Sequence, residues 1–206
     1  LVVCDSAGIQ SIGVEAHPFV ARICKAKLLW ETSPEQLDSF GREILECSTK
    51  QHANIDGYPD LIQRSFDGET LAVLDSLKSA WLLLQDASPE AELVWLALTS
   101  ILRCTSRAGT AQWQYIQPGK TKKNVAKPLL AFQQQIKIIQ SDIRWMQERT
   151  KCSQAQIIAG DARTFATSMA PSVDAVITSP PYATNSDYED ALRFEMSSWG
   201  AVQDRK

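Results

Sequence analysis

The 206-residue sequence is poor in the residues that build metal and disulfide frameworks. It has two histidines, and its five cysteines (Cys4, Cys24, Cys47, Cys104 and Cys152) stand singly, with no CxxC pair. That spacing argues against a metal site or a disulfide scaffold and for reduced thiols. No apolar run approaches the ~20 residues that cross a bilayer, so no membrane partner is expected. A signal-peptide pattern is also lacking, which makes the cytoplasm the expected compartment. Repeats and low-complexity tracts are absent, which excludes solenoids and biased tails. What remains is 44% hydrophobic, enough for one good core or one core with an appendage.

Acidic residues outnumber basic ones, and the net charge is −3. The balance is uneven along the chain. From Arg103 to Lys151 there are ten Lys/Arg against two Asp/Glu, a local +8 that leaves −11 for the remainder. A basic block in an acidic protein reads either as the footprint of a polyanion partner or as a solvated helix face.

The pattern of apolar residues divides the chain. "LVVCDSAG" reads as the tail of a helix ended by Gly8, and the sequence is expected to lack something upstream. "SIGVEA" (11–16) is a short β-rich run, followed by a helical pattern from Pro18. Ser33-Pro34-Glu35-Gln36 is a capping box with proline at the first helical position. Residues 50–68 read as a loop, 69–85 as a helix, and Ser88-Pro89 starts another through Leu102. Residues 106–124 read as a polar, basic loop with Trp113 and Tyr115 among the charges. Phe132, Ile136, Ile139, Ile143 and Met146 recur at helical spacing, a long helix with one apolar seam best read as core. "AQIIAGDA" (155–162) and "VDAVITSPP" (173–181) return to the strand pattern. Ser186 and Glu189 form a capping box for a final helix. Strand–helix units thus bracket a helical block, which predicts an α/β fold with a large helical insertion.

Polar chemistry gathers at the ends of the three expected strands, the edge where open α/β sheets bind ligands. Glu15 ends the first and can accept from ribose hydroxyls. Asp161, after Gly160, can accept from an exocyclic amine. Either also reads as a helix cap or a surface charge. Ser179, Pro180, Pro181 and Tyr182 follow the third. Two prolines fix φ and remove two backbone donors, leaving carbonyl acceptors beside the Ser179 hydroxyl and the flat face of Tyr182. Acceptors next to an aromatic face suit a planar ring that carries an amino group; the alternative is an ordinary proline-rich strand exit.

With these stretches together, the chain resembles the N-4 cytosine/N-6 adenine DNA methylases. "SIGVEAHPFVARICKAKL" resembles the family's second cofactor motif, "IIAGDART" its third, and "VDAVITSPPY" its catalytic motif in the serine form. The likeness covers about the first 30 and last 50 residues. It implies a partial Rossmann-like methyltransferase sheet, with residues 1–31 and 153–206 as core and 32–152 as a helical insertion facing DNA. It implies S-adenosylmethionine as cofactor, lined by Glu15, Ala16, Gly160, Asp161 and Ala162. Duplex DNA is the implied partner, its target base flipped onto Tyr182 with its amine held by Ser179 and the Pro180 carbonyl. The serine form leans toward cytosine. Arg107, Lys120, Lys122 and Lys123 of the basic loop are then expected to bind nucleic acid.

The family's glycine loop, which wraps the methionine part of the cofactor, is not found in residues 1–10. Two other readings stand beside this one. An enzyme of the same fold can act on RNA or a protein amide, or a nucleic-acid-binding remnant can work without methyl transfer. His17 reads as a helix-entry residue, and Trp113 and Tyr115 equally as stacking residues or packed anchors.

Overall fold

The computed structural model describes residues 1–110, 116–150, 154–165, 173–178 and 188–201. In chain order the elements are α1 (Val2–Ser6), β1 (Ser11–Glu15), α2 (Pro18–Ala26), α3 (Pro34–Ser48), α4 (Asp60–Ser65), α5 (Gly68–Leu84) and α6 (Pro89–Thr105). They continue with β2 (Ala108–Thr110), β3 (Ile116–Thr121), α7 (Pro128–Gln147), β4 (Ala155–Ala159), α8 (Ala162–Phe165) and α9 (Tyr188–Ser198). The protein is α/β but mostly helical, with a small parallel sheet that pairs a strand near the start of the element order with one near its end.

Local sequence explains where the long helices begin. Ser33 accepts from the Gln36 amide, Asp67 from that of Thr70 and Ser88 from that of Ala91, so three helices open on a side-chain cap. Pro34, Pro89 and Pro128 each occupy a first-turn position whose missing N–H costs nothing. Gly8, after α1, has φ +69°, the left-handed conformation expected of a helix stop.

Packing is dominated by α3, α5, α6 and α7. Leu37, Ile44, Leu77, Val94, Trp95 and Phe132 are among their fully buried side chains. The α7 seam Phe132–Ile136–Ile139–Ile143–Met146 lies wholly in this core, as its spacing predicts. Gly41 of α3 faces α7, where a Cβ would meet Ile136 at 3.4 Å, in ordinary van der Waals contact. The flanking segments join the same core. Phe19 of α2 meets Trp95 edge-on at 5.4 Å, and Phe194 of α9 stacks on Phe66 at 5.6 Å.

β1 and β4 pair in parallel, Ser11 with Ala155 through Glu15 with Ala159, although some 140 positions separate them in sequence. Buried Asp5 ties this sheet to the bundle, accepting from the Trp30 indole at 3.0 Å and the Gln154 amide at 2.9 Å.

Three stretches differ from expectation. The loop expected over 50–68 contains α4. The loop expected over 106–124 contains β2 and β3, an antiparallel ribbon. The strand expected over 173–181 is not formed in its described part: residues 173–178 have no ladder, and Val176 and Ile177 are 81% and 96% exposed. A β-branched run becomes a strand only where a neighbour takes up its backbone groups, and the described sheet stops at two strands. The Ser186 end of the final capping box lies outside the described residues.

Among the described residues, no helix is long and apolar enough to cross a membrane, and no group of three metal-ligating side chains converges.

Candidate functional site

The site begins with the register of the parallel pair. The Gly160 amide donates to the Glu15 carbonyl at 2.9 Å, carrying the ladder from the last residue of β1 to the residue just past β4. Glu15, Ala16, Gly160, Asp161 and Ala162 are therefore neighbours at one carboxyl edge. Two helices start from that edge, α2 after β1 and α8 after β4, as in any strand–helix unit of a parallel sheet.

Glu15 turns one oxygen back on its own chain. Its Oε1 accepts from the His17 amide at 2.8 Å, where α2 begins. The carboxylate thus folds back on the residue before α2 while remaining half-buried at the edge. Beside it, the His17 Nδ1 atom is buried without a protein partner, a polar atom for which the protein supplies no hydrogen bond. The Cys24 thiol is pushed up by burial and then by the Glu15 charge, which keeps it protonated and unsuited to nucleophilic work.

Asp161 is held differently. Its Oδ1 accepts from the Arg163 amide at 2.9 Å, and both oxygens accept from the Arg163 guanidinium, the shortest contact being 2.5 Å. The Arg163 fork lowers the carboxyl to about 2, so Asp161 is an anion and a pure acceptor at neutral pH. Arg163 is itself 89% exposed. An exposed pair of this kind is screened by water and weak, so a ligand amine can displace the fork at little cost. Sequence reasoning missed Arg163; the signal was a cation two residues after the acid. Around Gly160 the space is open, with no atom within 4 Å of an added Cβ. Ala16 and Ala162 are exposed.

This donor set fits an adenosine-type cofactor. Two carboxylates on adjacent parallel strands offer acceptors for ribose hydroxyls and for an exocyclic amine, and the orphaned His17 nitrogen lies at the same edge. Ser179, Pro180, Pro181 and Tyr182 lie outside the described residues.

A second candidate surface is the ribbon. β2 and β3 approach so closely that a Cβ on Gly109 would lie 2.8 Å from the Lys120 Cβ, which explains a glycine there. The expected nucleic-acid residues separate into two kinds. Arg107, Lys120 and Lys123 are exposed. Lys122 instead folds back, its Nζ donating to the Arg103 carbonyl at 2.5 Å, and burial lowers its pKa. It caps the last turn of α6 rather than facing solvent. Arg103, part of the same basic block in sequence, also points inward and grips Glu195 and the Ala191 carbonyl of α9. The basic block is therefore smaller at the surface than in the sequence. Trp113 and Tyr115 lie outside the described residues.

No protein-family model matches this chain, and the searches of curated proteins and of solved structures likewise return no match.

Proposed function

We propose that this protein is an S-adenosylmethionine-dependent DNA amino-methyltransferase, acting on the exocyclic amine of cytosine (N4) or adenine (N6). The observation that carries the reading is the parallel pairing of β1 with β4, which sets Glu15 and Asp161 side by side at one carboxyl edge. Two motifs that resemble cofactor motifs, far apart in the chain, are neighbours in space. A partial Rossmann-like sheet is the fold this reading requires.

In this reading Glu15 accepts from the ribose hydroxyls. Asp161 exchanges part of its Arg163 fork for the adenine amine of the cofactor. When bound, the cofactor supplies an electrophilic methyl group. Ser179 and the Pro180 carbonyl accept from the amino group of the target base, orienting its nitrogen, and Tyr182 stacks the flipped ring. The exposed cations Arg107, Lys120 and Lys123 favour a nucleic acid over a protein amide as substrate.

The test is calorimetric titration of the protein with S-adenosylmethionine, followed by labelled-methyl transfer to DNA and nucleoside analysis of the product. Binding that Asp161→Ala weakens at least tenfold, with label on N4-methylcytosine or N6-methyladenine, supports the reading. Transfer that survives both Ser179→Ala and Tyr182→Ala sinks the catalytic assignment.

A further inference from the structure

The two acids at the carboxyl edge of the parallel pair are engaged to different degrees. Glu15 commits one oxygen, Oε1, to the His17 amide. Asp161 has both oxygens committed, and to a single residue. Its Oδ1 accepts from the Arg163 amide at 2.9 Å and from Nε at 3.0 Å. Its Oδ2 accepts from Nε at 2.9 Å and from Nη2 at 2.5 Å. An ionised carboxylate offers about four lone-pair sites, so Arg163 takes up the acceptor capacity that a ligand amine would need.

Arg163 is tied to little else. Among the described residues it makes no other ion pair, and its side chain is 89% exposed. Ala162 alone separates it from Asp161, so the fork closes and opens by side-chain rotation. The backbone contact of Arg163 to Asp161 stays in place as it does so. No packed element depends on where this guanidinium lies.

We infer that Arg163 is an internal competitor for the amine of the cofactor, the resting partner of Asp161 that a ligand must turn out. The inference rests on the reading of this edge as an S-adenosylmethionine site and adds how the affinity of that site is held down. A ligand amine reaches the carboxylate only in molecules whose fork is open, and the apparent affinity falls by that fraction. The pair is exposed and screened by water, so the attenuation is modest, about two- to fivefold. A ligand without an amine has nothing to exchange for the fork and leaves it closed.

The experiment is calorimetric titration of the whole protein and of its Arg163→Gln variant, which removes the guanidinium and keeps the backbone amide on Asp161. The probes are S-adenosylmethionine, adenosine and inosine, the last carrying a 6-oxo group where adenosine has its amine. S-adenosylmethionine and adenosine are expected to bind the variant about two- to fivefold more tightly, and inosine no more tightly than it binds the wild type. In nitrogen-15 spectra, the Arg163 Nε–H resonance is identified by its loss in the variant. It is expected to shift when adenosine is added to the wild type and to stay in place with inosine. Wild-type binding of S-adenosylmethionine that the variant equals or weakens overturns the competition and leaves the functional reading standing. A gain of the same size for inosine also overturns it, because the effect would not pass through the amine. Absence of S-adenosylmethionine binding by both proteins overturns this inference and the functional reading together.

Discussion

Arg103 and Glu195 meet across 92 positions of chain, the guanidinium fork of α6 closing on a carboxylate of α9 that is only 10% exposed. The same guanidinium donates to the Ala191 carbonyl at 2.6 Å, so one side chain fixes both charge and backbone of α9. Glu195→Gln keeps the shape and removes the charge. A loss of about 1.5–3 kcal/mol is expected, as for hydrogen bonds to charged groups. Urea denaturation with an unchanged m-value measures it, and an unaltered midpoint would mean that α9 is held by its apolar contacts alone.

Phe132 is completely buried among the long helices. Truncation to alanine leaves a void that close-packed helices only partly close. Phe132→Ala is expected to destabilise by ~3–5 kcal/mol, with cooperative unfolding retained. A loss under about 1 kcal/mol would show that α7 repacks readily on its neighbours.

Asp67 caps α5 by accepting from the Thr70 amide at 2.8 Å and the Thr70 hydroxyl at 3.0 Å. Those bonds, the backbone one foremost, lower its pKa from 3.8. A depressed carboxyl stabilises the fold above its ordinary pKa and loses that contribution as the pH falls through the folded value. Asp67→Ala should cost ~1 kcal/mol at neutral pH and almost nothing at pH values well below 3.8. Parallel denaturation series at the two pH values test this; an equal loss at both would assign the effect to packing.

Tyr58 donates to Asp75 at 2.8 Å and accepts from Lys78 Nζ at 3.3 Å. Burial first, then the Asp75 hydrogen bond, raises the phenol above its ordinary value of 10.0. The unfolded chain loses this proton first, so the stabilisation is full below about pH 10 and falls as the pH climbs further. Lys78 works oppositely: burial lowers its ammonium below 10.5, which improves stability as the pH rises toward that value. Stability should rise shallowly to about pH 10 and then drop, and Tyr58→Phe should remove much of the drop. Circular-dichroism melts across that range decide it, and a drop undiminished in the variant would place the alkaline sensitivity elsewhere.

The helices were largely legible in the sequence because their signals are local. Ser33-Pro34, Ser88-Pro89 and the Phe132–Met146 spacing declare starts and buried faces within a few residues. The two strands at 11–15 and 155–159 were legible for the same reason, and so were the acids that follow them. The ribbon was not: Ala108-Gly109-Thr110 has no alternating pattern, and its pairing depends on Gly109 admitting the Lys120 backbone. Residues 173–178 erred in the other direction, since a β-branched composition expresses a preference but supplies no partner strand. Charge was the least legible property. Arg103 and Lys122 count as cations in the sequence, yet both are occupied by carboxylate or carbonyl oxygens.

Trp199 immediately follows α9 and lies 5.3 Å from Trp81 and 5.9 Å from Trp95, with the Trp199 indole N–H donating to Thr99 at 2.9 Å. Three indoles at such spacing share their electronic transitions, and that sharing ends if the final helix leaves the bundle. The near-ultraviolet dichroism of the protein is therefore a direct optical gauge of whether α9 is seated, independent of any ligand or added label.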